Sequence, residues 1–554
     1  MLNGLVPSYP LFVLFPYLAV NVKKSGPASV TSANSDSQGS QSRTETGAQS
    51  MSSAGHTGLS SRIKRLVTFN ADLLGRLLKA VVARRDAERL FQNKKPQIFR
   101  KPLEMRSSSR NGTTVLDEVV DILTLPHFNA EAVMKQQDPK DVKLNEVVEK
   151  QIQEYVTVLA KMYRRDVPFH NFEHASHVTM SVTKLLSRIV APDSILSSTT
   201  DANQDEVIKQ LHEYTYGITS DPMTQFAAVI AALIHDVDHT GVPNAQLIKE
   251  GNPLAEMYKE KSVAEQNSVD LAWDLLMDDN FKELRAVIYT NETEEQHFRS
   301  LLVNLVLATD ICDKELGAQR KARWAKAFAG NGSADHETRE SERDAVNRKA
   351  TIVLERKCDA ILCPCSKYIT SLCLTVHSLL SSACTDLIQA SDVAHTMQHW
   401  HIYRKWNEKF FEENMKAFRA GRAEKDPSAY WYEGELGFFD FYIIPLAKKL
   451  KECGVFGVAS DEYLDYATKN RKEWELHGQA IVSEMKEKYL PSIIEEDEEL
   501  SDHEDYDESE GESFDSTSAL NLDQDTIFTV TGSWELLRRL PDYEERTGTL
   551  LFAQ

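Results

Sequence analysis

The chain has 554 residues, 42% of them apolar and 27% charged, with a formal net charge of −21. This composition excludes collagen-like, wholly disordered and polytopic membrane proteins, and it supplies enough apolar material for a sizeable core. The acidity is uneven: residues 495–525 hold 15 acids and no Lys or Arg, residues 61–110 hold 14 bases against 4 acids, and 111–494 carries a net −16.

Residues 1–22 are apolar but interrupted by Pro7, Pro10 and Pro16. No positive charge precedes the run, which argues against a secretory signal. Its length is near the minimum for spanning a bilayer, and three prolines disfavour a spanning helix, so a weak N-terminal membrane association is the most it suggests. Residues 25–60 are rich in Ser, Thr, Gly and Gln and read as disordered, which makes 1–60 an apolar start followed by a flexible segment. From Ser61 to Phe91, Leu66, Leu73, Leu74, Leu77, Leu78, Val81 and Val82 recur at helical spacing with Arg and Lys between them. Such a basic amphipathic helix suits either packing, within the chain or in a homodimer, or a surface for calmodulin or an anionic membrane. We therefore set 61–110 apart as helix and linker.

Across 111–494 the apolar spacing is helical, with few Gly or Pro and little strand-like alternation. The expectation is a compact all-α domain of many helices. The stretch 313–350 is long and polar and reads as a surface loop. The tail 495–554 opens with the acidic, Ser-containing run, which cannot bury enough surface to fold alone. An acidic body with one basic helix argues against a nucleic-acid partner.

Five of the 7 Cys lie within 356–386. Without a regular spacing they indicate no disulfide framework, and a reducing, cytoplasmic location is expected. Removing 356–386 joins Thr351-Ile352-Val353-Leu354-Glu355 almost directly to Leu387-Ile388-Gln389-Ala390-Ser391-Asp392 as one helix. The codons for Arg356-Lys357 and Thr385-Asp386 can supply a splice donor and acceptor. These residues therefore read as a retained intron translated in frame.

Three stretches carry the chemistry. Phe226, Val229, Ile230, Leu233 and Ile234 form a nearly all-apolar helix that delivers His235, Asp236, Asp238 and His239 directly after it. Charged groups at the end of a buried helix require partners or a metal. Imidazole with carboxylate suits zinc, and oxygen-rich neighbours suit magnesium or manganese. His170 and His174 lie four apart, on one side of a helix. Asp392 closes the set from a distant helix. One ion would be held by His174, His235, Asp236 and Asp392, and a second could share Asp236. Such a pair can deprotonate a water suited to attack on phosphorus, leaving His170 free to act as general acid.

Phe-His-Asn-x-x-His at 169–174 and His-Asp-x-Asp-His-x-Gly-x-x-Asn at 235–244 resemble the class I 3′,5′-cyclic nucleotide phosphodiesterases, a helical HD-type fold. Ser262-Val263-Ala264-Glu265, Leu307-Ala308-Thr309-Asp310, Tyr403-Arg404-x-Trp406 and Gly437-Phe438 fit the same family. The resemblance implies hydrolysis of cyclic AMP, cyclic GMP or both to 5′-monophosphates by a metal-bridged hydroxide. It gives His170 the leaving oxygen and sets Glu265 and His239 beside the hydroxide. It implies two divalent metals, zinc with magnesium or manganese, and places Phe438 against the purine. The basic helix resembles the segment before this domain in algal and oomycete-type nucleotide cyclase–phosphodiesterase fusions, which makes a cyclase the functional counterpart.

Several positions depart from the family. His177 replaces an Asp, Asn267 a His, Gln389 a His, and His395 an Asn that would face the substrate. Glu435 stands where the family has a purine-reading Gln. An ionised carboxylate only accepts hydrogen bonds, so it would suit the donors of guanine and lean towards cyclic GMP. A nucleotide-binding module without turnover and another HD-superfamily metal phosphohydrolase are the alternatives. Sequencing the transcript across 355–387 is expected to yield a spliced form lacking 356–386; finding only the longer form would refute the intron reading.

Overall fold

The computed structural model describes residues 59–91, 113–189, 204–313, 349–350, 387–452, 456 and 458–489, apart from 121, 124 and 127. The expected segments 1–22, 25–58, 314–348, 356–386 and 495–554 lie outside the described residues. Within those described there is no strand, which agrees with the expected all-α class. No described helix is long and apolar enough to cross a membrane.

Among the helices of the described residues, these position the site: α1 (Ser61–Phe91), α2 (Glu146–Met162), α3 (Phe172–Ser187), α4 (Pro222–Ile234), α5 (Val263–Met277), α6 (Glu292–Ala308), α7 (Leu387–Asp392), α8 (Trp400–Arg419), α9 (Trp431–Phe438) and α10 (Val458–Tyr489). Helix α4 is the axis. Every residue from Pro222 to Ile234 is buried, and it packs against α1, α3 and α6. Its start is fixed by Asp221, whose carboxylate accepts from the Met223 and Thr224 backbone N–H groups, with Pro222 in the first turn. An all-round apolar helix must be enclosed on every side, and its neighbours do this.

Helix α1 belongs to that enclosure. Leu73, Leu74, Leu77, Leu78 and Val81 are buried in the main core, and α1 packs on α2, α3 and α4. Asn70 on α1 donates to Ser176 Oγ on α3 at 2.9 Å. The basic residues are partly consumed by packing. Arg84 donates to Gln136 Oε1 at 2.9 Å and to the Ser220 carbonyl. Arg85 donates to the Val287 and Ile288 carbonyls and lies 3.0 Å from Glu294. The boundary expected at 111 is therefore not a packing boundary, and the face offered to calmodulin or a membrane is the face buried in the core. The apolar stripe decided the outcome because burying five aliphatic side chains outweighs the solvation of interleaved cations, of which Arg84 and Arg85 found carbonyl partners.

A chain beginning at residue 113 lacks α1 and exposes the apolar faces of α2, α3 and α4. It is expected to aggregate on size-exclusion chromatography, whereas a chain beginning at residue 59 elutes as a folded helical species. Equal solubility and equal helical circular dichroism of the two would contradict this role for α1.

Candidate active site

The site forms where α4 ends. His235 caps the helix, and the chain then turns through Val237 N to Ile234 O (3.1 Å) and His239 N to Asp236 O (3.0 Å). Asp238 takes φ = +61°, a costly conformation for a residue with a side chain. Arg164 Nε donates to its carboxylate at 2.7 Å and holds it there. This turn presents Asp236 and His239 together. Asn171 shapes the facing loop: its side chain accepts from the Glu173 and His174 N–H groups, capping α3, and donates to the Val167 and Pro168 carbonyls. His170 is thereby fixed just before α3 and His174 in its first turn.

The four residues expected to hold a metal converge. His174 Nε2 lies 2.9 Å from Asp392 Oδ1 and 3.8 Å from Asp236 Oδ2, while His235 Nε2 lies 2.9 Å from Asp236 Oδ2 and 3.4 Å from Asp392 Oδ1. His174 and His235 are buried. His235 Nδ1 donates to the Ala232 carbonyl at 2.9 Å, so in the neutral ring Nε2 presents its lone pair to the carboxylates. Neither His235 Nε2 nor Asp236 Oδ2 makes a hydrogen bond, although both are buried. Burial disfavours an imidazolium at His235, yet Asp236 and Asp392 push its pKa well above the usual value. Burial likewise opposes ionisation of Asp236 and Asp392, and the histidines still hold both well below the usual carboxylate range. Lone pairs and carboxylates converging in a buried volume call for a cation, and nitrogen with oxygen donors fits a divalent metal.

His170 lies beside this cluster. Its Nδ1 is 2.5 Å from Glu413 Oε1, and Glu413 Oε2 accepts from the Phe169 and His170 backbone N–H groups at 2.9 and 3.0 Å. A carboxylate can only accept, so Nδ1 carries the proton. Burial works against the charged ring, but Glu413, with Asp236 and Asp392, raises the His170 pKa to about 9. The His239 ring stands 4.0 Å from that of His170. Burial and then His170 lower its pKa to about 4, which makes it the neutral member of the pair. His170, His239 and Glu413 offer ligand atoms within 4.8 Å of one another. Glu413 already accepts three hydrogen bonds, so this trio suits holding a proton.

Glu265, at the start of α5, accepts from Asn244 Nδ2 at 2.8 Å, and Asn244 also reaches Asp310. Burial and Asp310 push Glu265 up to about 8. Among the substituted positions, His177 and His395 are buried around Trp406, with ring separations of 5.3 and 6.2 Å. Burial and then His174 lower both pKa values, so they are neutral rings. Phe438 is half-buried and stacks on Tyr442. Asn267 Nδ2 lies 3.5 Å from Asp238, and Gln389 donates to the Ala308 carbonyl.

Glu435 is buried, and Tyr403 Oη donates to its Oε2 at 2.6 Å. Asn407 Nδ2 lies 3.4 Å from Tyr403 Oη, and Asn407 Oδ1 accepts from Trp431 Nε1 at 3.2 Å. Burial pushes the Glu435 pKa up to about 7, against the Tyr403 and Asn407 hydrogen bonds that favour ionisation. Near neutrality a large fraction is protonated and can donate as well as accept. The lean towards cyclic GMP, which needed a carboxylate, loses its footing.

Glu413 was not among the expected residues. It sits in Phe410-Phe411-Glu412-Glu413, one acid of an adjacent pair on a long helix. The available signal was its register with Tyr403, Trp406 and Phe410, since 403, 406, 410 and 413 share one face.

The family described as 3′5′-cyclic nucleotide phosphodiesterase matches residues 169–455. The chain is 32% identical over 166 residues to the cGMP-inhibited 3′,5′-cyclic phosphodiesterase 3A of Homo sapiens, covering 26% of this chain and 14% of that protein. It is 27% identical over 333 residues to the probable 3′,5′-cyclic-AMP phosphodiesterase pde-4 of Caenorhabditis elegans, covering 58% of this chain and 39% of that protein. It thus spans well under two thirds of these curated relatives. Among solved structures it is similar to the phosphodiesterase domain of the RhoPDE fusion protein of the choanoflagellate Salpingoeca rosetta, with 18% identity, a TM-score of 0.40, and coverage of 62% of this chain and 88% of that one.

The raised pKa of Glu435 predicts a specific pH dependence. The folded chain retains a proton between the ordinary glutamic pKa of 4.5 and about 7 that the unfolded chain has lost. The contribution of Glu435 is therefore fully favourable below 4.5 and is lost as pH rises through about 7. Glu435→Gln keeps an acceptor for Tyr403 and removes the titration. In urea unfolding it is expected to match the parent near pH 4.5 and exceed it at pH 8 by about 1–3 kcal/mol. Parallel pH profiles would contradict the assignment.

Proposed function

Since the chain belongs to the 3′,5′-cyclic nucleotide phosphodiesterase family, we propose that it hydrolyses 3′,5′-cyclic nucleotides, cyclic AMP, cyclic GMP or both, to 5′-nucleoside monophosphates. The observation that carries this reading is the convergence of His174, His235, Asp236 and Asp392 beside a proton-bearing His170. The first four would hold a divalent metal, zinc being the natural choice for two imidazoles and two carboxylates, and Asp236 would also reach a second ion such as magnesium or manganese. When bound, the ions supply positive charge against the phosphodiester and acidify a water.

The chain's own residues do the rest. Glu413 anchors His170 through Nδ1, leaving Nε2 to give a proton to the departing 3′ oxygen. His239, neutral at 4.0 Å, adds no competing charge. Glu265 and Asn244 border the metal residues, where a carboxyl with a raised pKa can hold or accept a proton. Phe438 would offer an aromatic face to the base, and Glu435, held by Tyr403, a polar edge. A nucleotide cyclase reaction is the source of such a substrate.

Turnover should vanish with a chelator and return with zinc and magnesium. His170→Ala should keep the bound metal and lower kcat by about 10²–10⁴, whereas Asp392→Asn should lose metal as well. Hydrolysis of nucleoside triphosphates in preference to cyclic nucleotides would favour a different HD-superfamily phosphohydrolase. Binding of cyclic nucleotide without turnover in the metal-loaded form would overturn the catalytic reading.

A further inference from the structure

A cavity of about 440 Å³ lies behind the loop that carries His170. One wall is the start of α1, with Leu59, Ser60 and Ile63. The second is the loop at Val167, Pro168 and Asn171, and the third is α8 at Lys409, Glu412 and Lys416. Asn171 precedes and caps α3, while Glu412 adjoins Glu413. The cavity therefore backs onto both partners of the His170–Glu413 contact.

The surroundings are cationic, although the body as a whole is acidic. Arg62 and Lys409 share a single acid, Glu173, at 3.0 and 3.4 Å. Arg165 and Lys405 are exposed and make no ion pair among the described residues. Burial, and then Arg62 and Lys409, lower the Lys405 pKa, a sign of crowded positive charge. The nearby acids are largely engaged: Glu412 with Lys416 at 3.2 Å, and Glu408 with Lys488 at 2.6 Å. Asp166 is the remaining carboxylate on the cavity wall.

The chain leaves the described fold at the same place. Tyr489, the last residue of α10, lies with its hydroxyl 3.3 Å from Glu412 and 3.3 Å from Glu408. The acidic run starts at residue 495. Six residues extend up to about 20 Å, and Tyr489 itself already touches Glu412 on the cavity wall. Residues 1–58 also enter beside the cavity, at Leu59, but they are close to neutral and offer these cations no complement.

We propose that the acidic segment 495–525 docks on this cavity and its cationic rim and restrains catalysis. An occupant between the Val167–Asn171 loop and α8 presses on the two elements whose spacing sets the His170–Glu413 contact. The consequence for turnover rests on His170 as proton donor; the docking itself does not.

Binding and turnover are measured separately. A labelled peptide of sequence 495–525 is titrated by fluorescence anisotropy against a chain lacking those residues, and hydrolysis is followed in the full and shortened chains. The expected results are saturable binding, weakened at least tenfold by 0.5 M salt and at least tenfold by R165E with K405E, and a kcat three- to tenfold higher without the segment at unchanged KM. Absence of binding, binding indifferent to the double variant, or displacement by a peptide of sequence 25–58 but not by unlabelled 495–525 would overturn the docking. Binding as expected with kcat unchanged would overturn the restraint alone. Circular dichroism of the double variant checks that the fold is intact.

Discussion

The structure depends on two carboxylates, Asp236 and Asp392, brought together with the imidazoles of His174 and His235 at the end of a wholly buried helix. His174 and His235 are buried and the two carboxylates are only partly exposed, so the negative charge is met by protons on the histidines or by a cation. The upward push on His235 and the downward push on the two acids express the same demand. On the proposed function, a phosphodiester substrate would bring further negative charge to a body already at −16. A divalent ion meets both demands at once, because it accepts the lone pairs and attracts the anion. The apolar α4, the Asn171 cap and the strained Asp238 turn are means of holding these ligands despite their mutual repulsion.

Helix α8 ties the rest of the site to that centre. Tyr403, Trp406, Phe410 and Glu413 recur at spacings of three and four, so one face of one helix carries the Glu435 partner, the ring against His174, an aromatic beside Phe169 and the anchor of His170. At 1.5 Å per residue this face spans about 15 Å. The residues proposed to meet the base, the metal and the leaving oxygen are thus held in register by a rigid rod. A disturbance along α8 is transmitted to more than one of them.

The residues proposed to hold a metal were legible because they violate their surroundings. His235 and Asp236 follow directly on an uninterrupted apolar run, and that conflict needs explanation from sequence alone. Glu413 creates no such conflict. It is an acid on a helix rich in acids, and its role exists only because the turn at His170 folds back onto it across 243 residues. The Glu435 position was legible, but its protonation was not, since burial and the Tyr403 hydrogen bond come from tertiary packing. Helix α1 was legible as a helix and misjudged as a separate segment. Its apolar stripe was visible, while the carbonyls that take up Arg84 and Arg85 belong to distant chain.

The fate of those arginines changes how the charge asymmetry of the chain should be read. In sequence, a segment at +10 and a tail at −15 invite pairing along their whole lengths. In the fold, Arg84 and Arg85 are committed to the core, so the C-terminal half of α1 has little positive charge to offer. The N-terminal end differs: Arg62 shares Glu173 with Lys409, and Arg165 and Lys405 stand alongside without ion pairs among the described residues. Among the described residues, cations without ion pairs thus stand beside the N-terminal end of the helix. That end lies near the point where the acidic chain emerges and directly behind the residue that holds the proton. A diffuse attraction between two charged segments becomes a local one with a defined mechanical consequence.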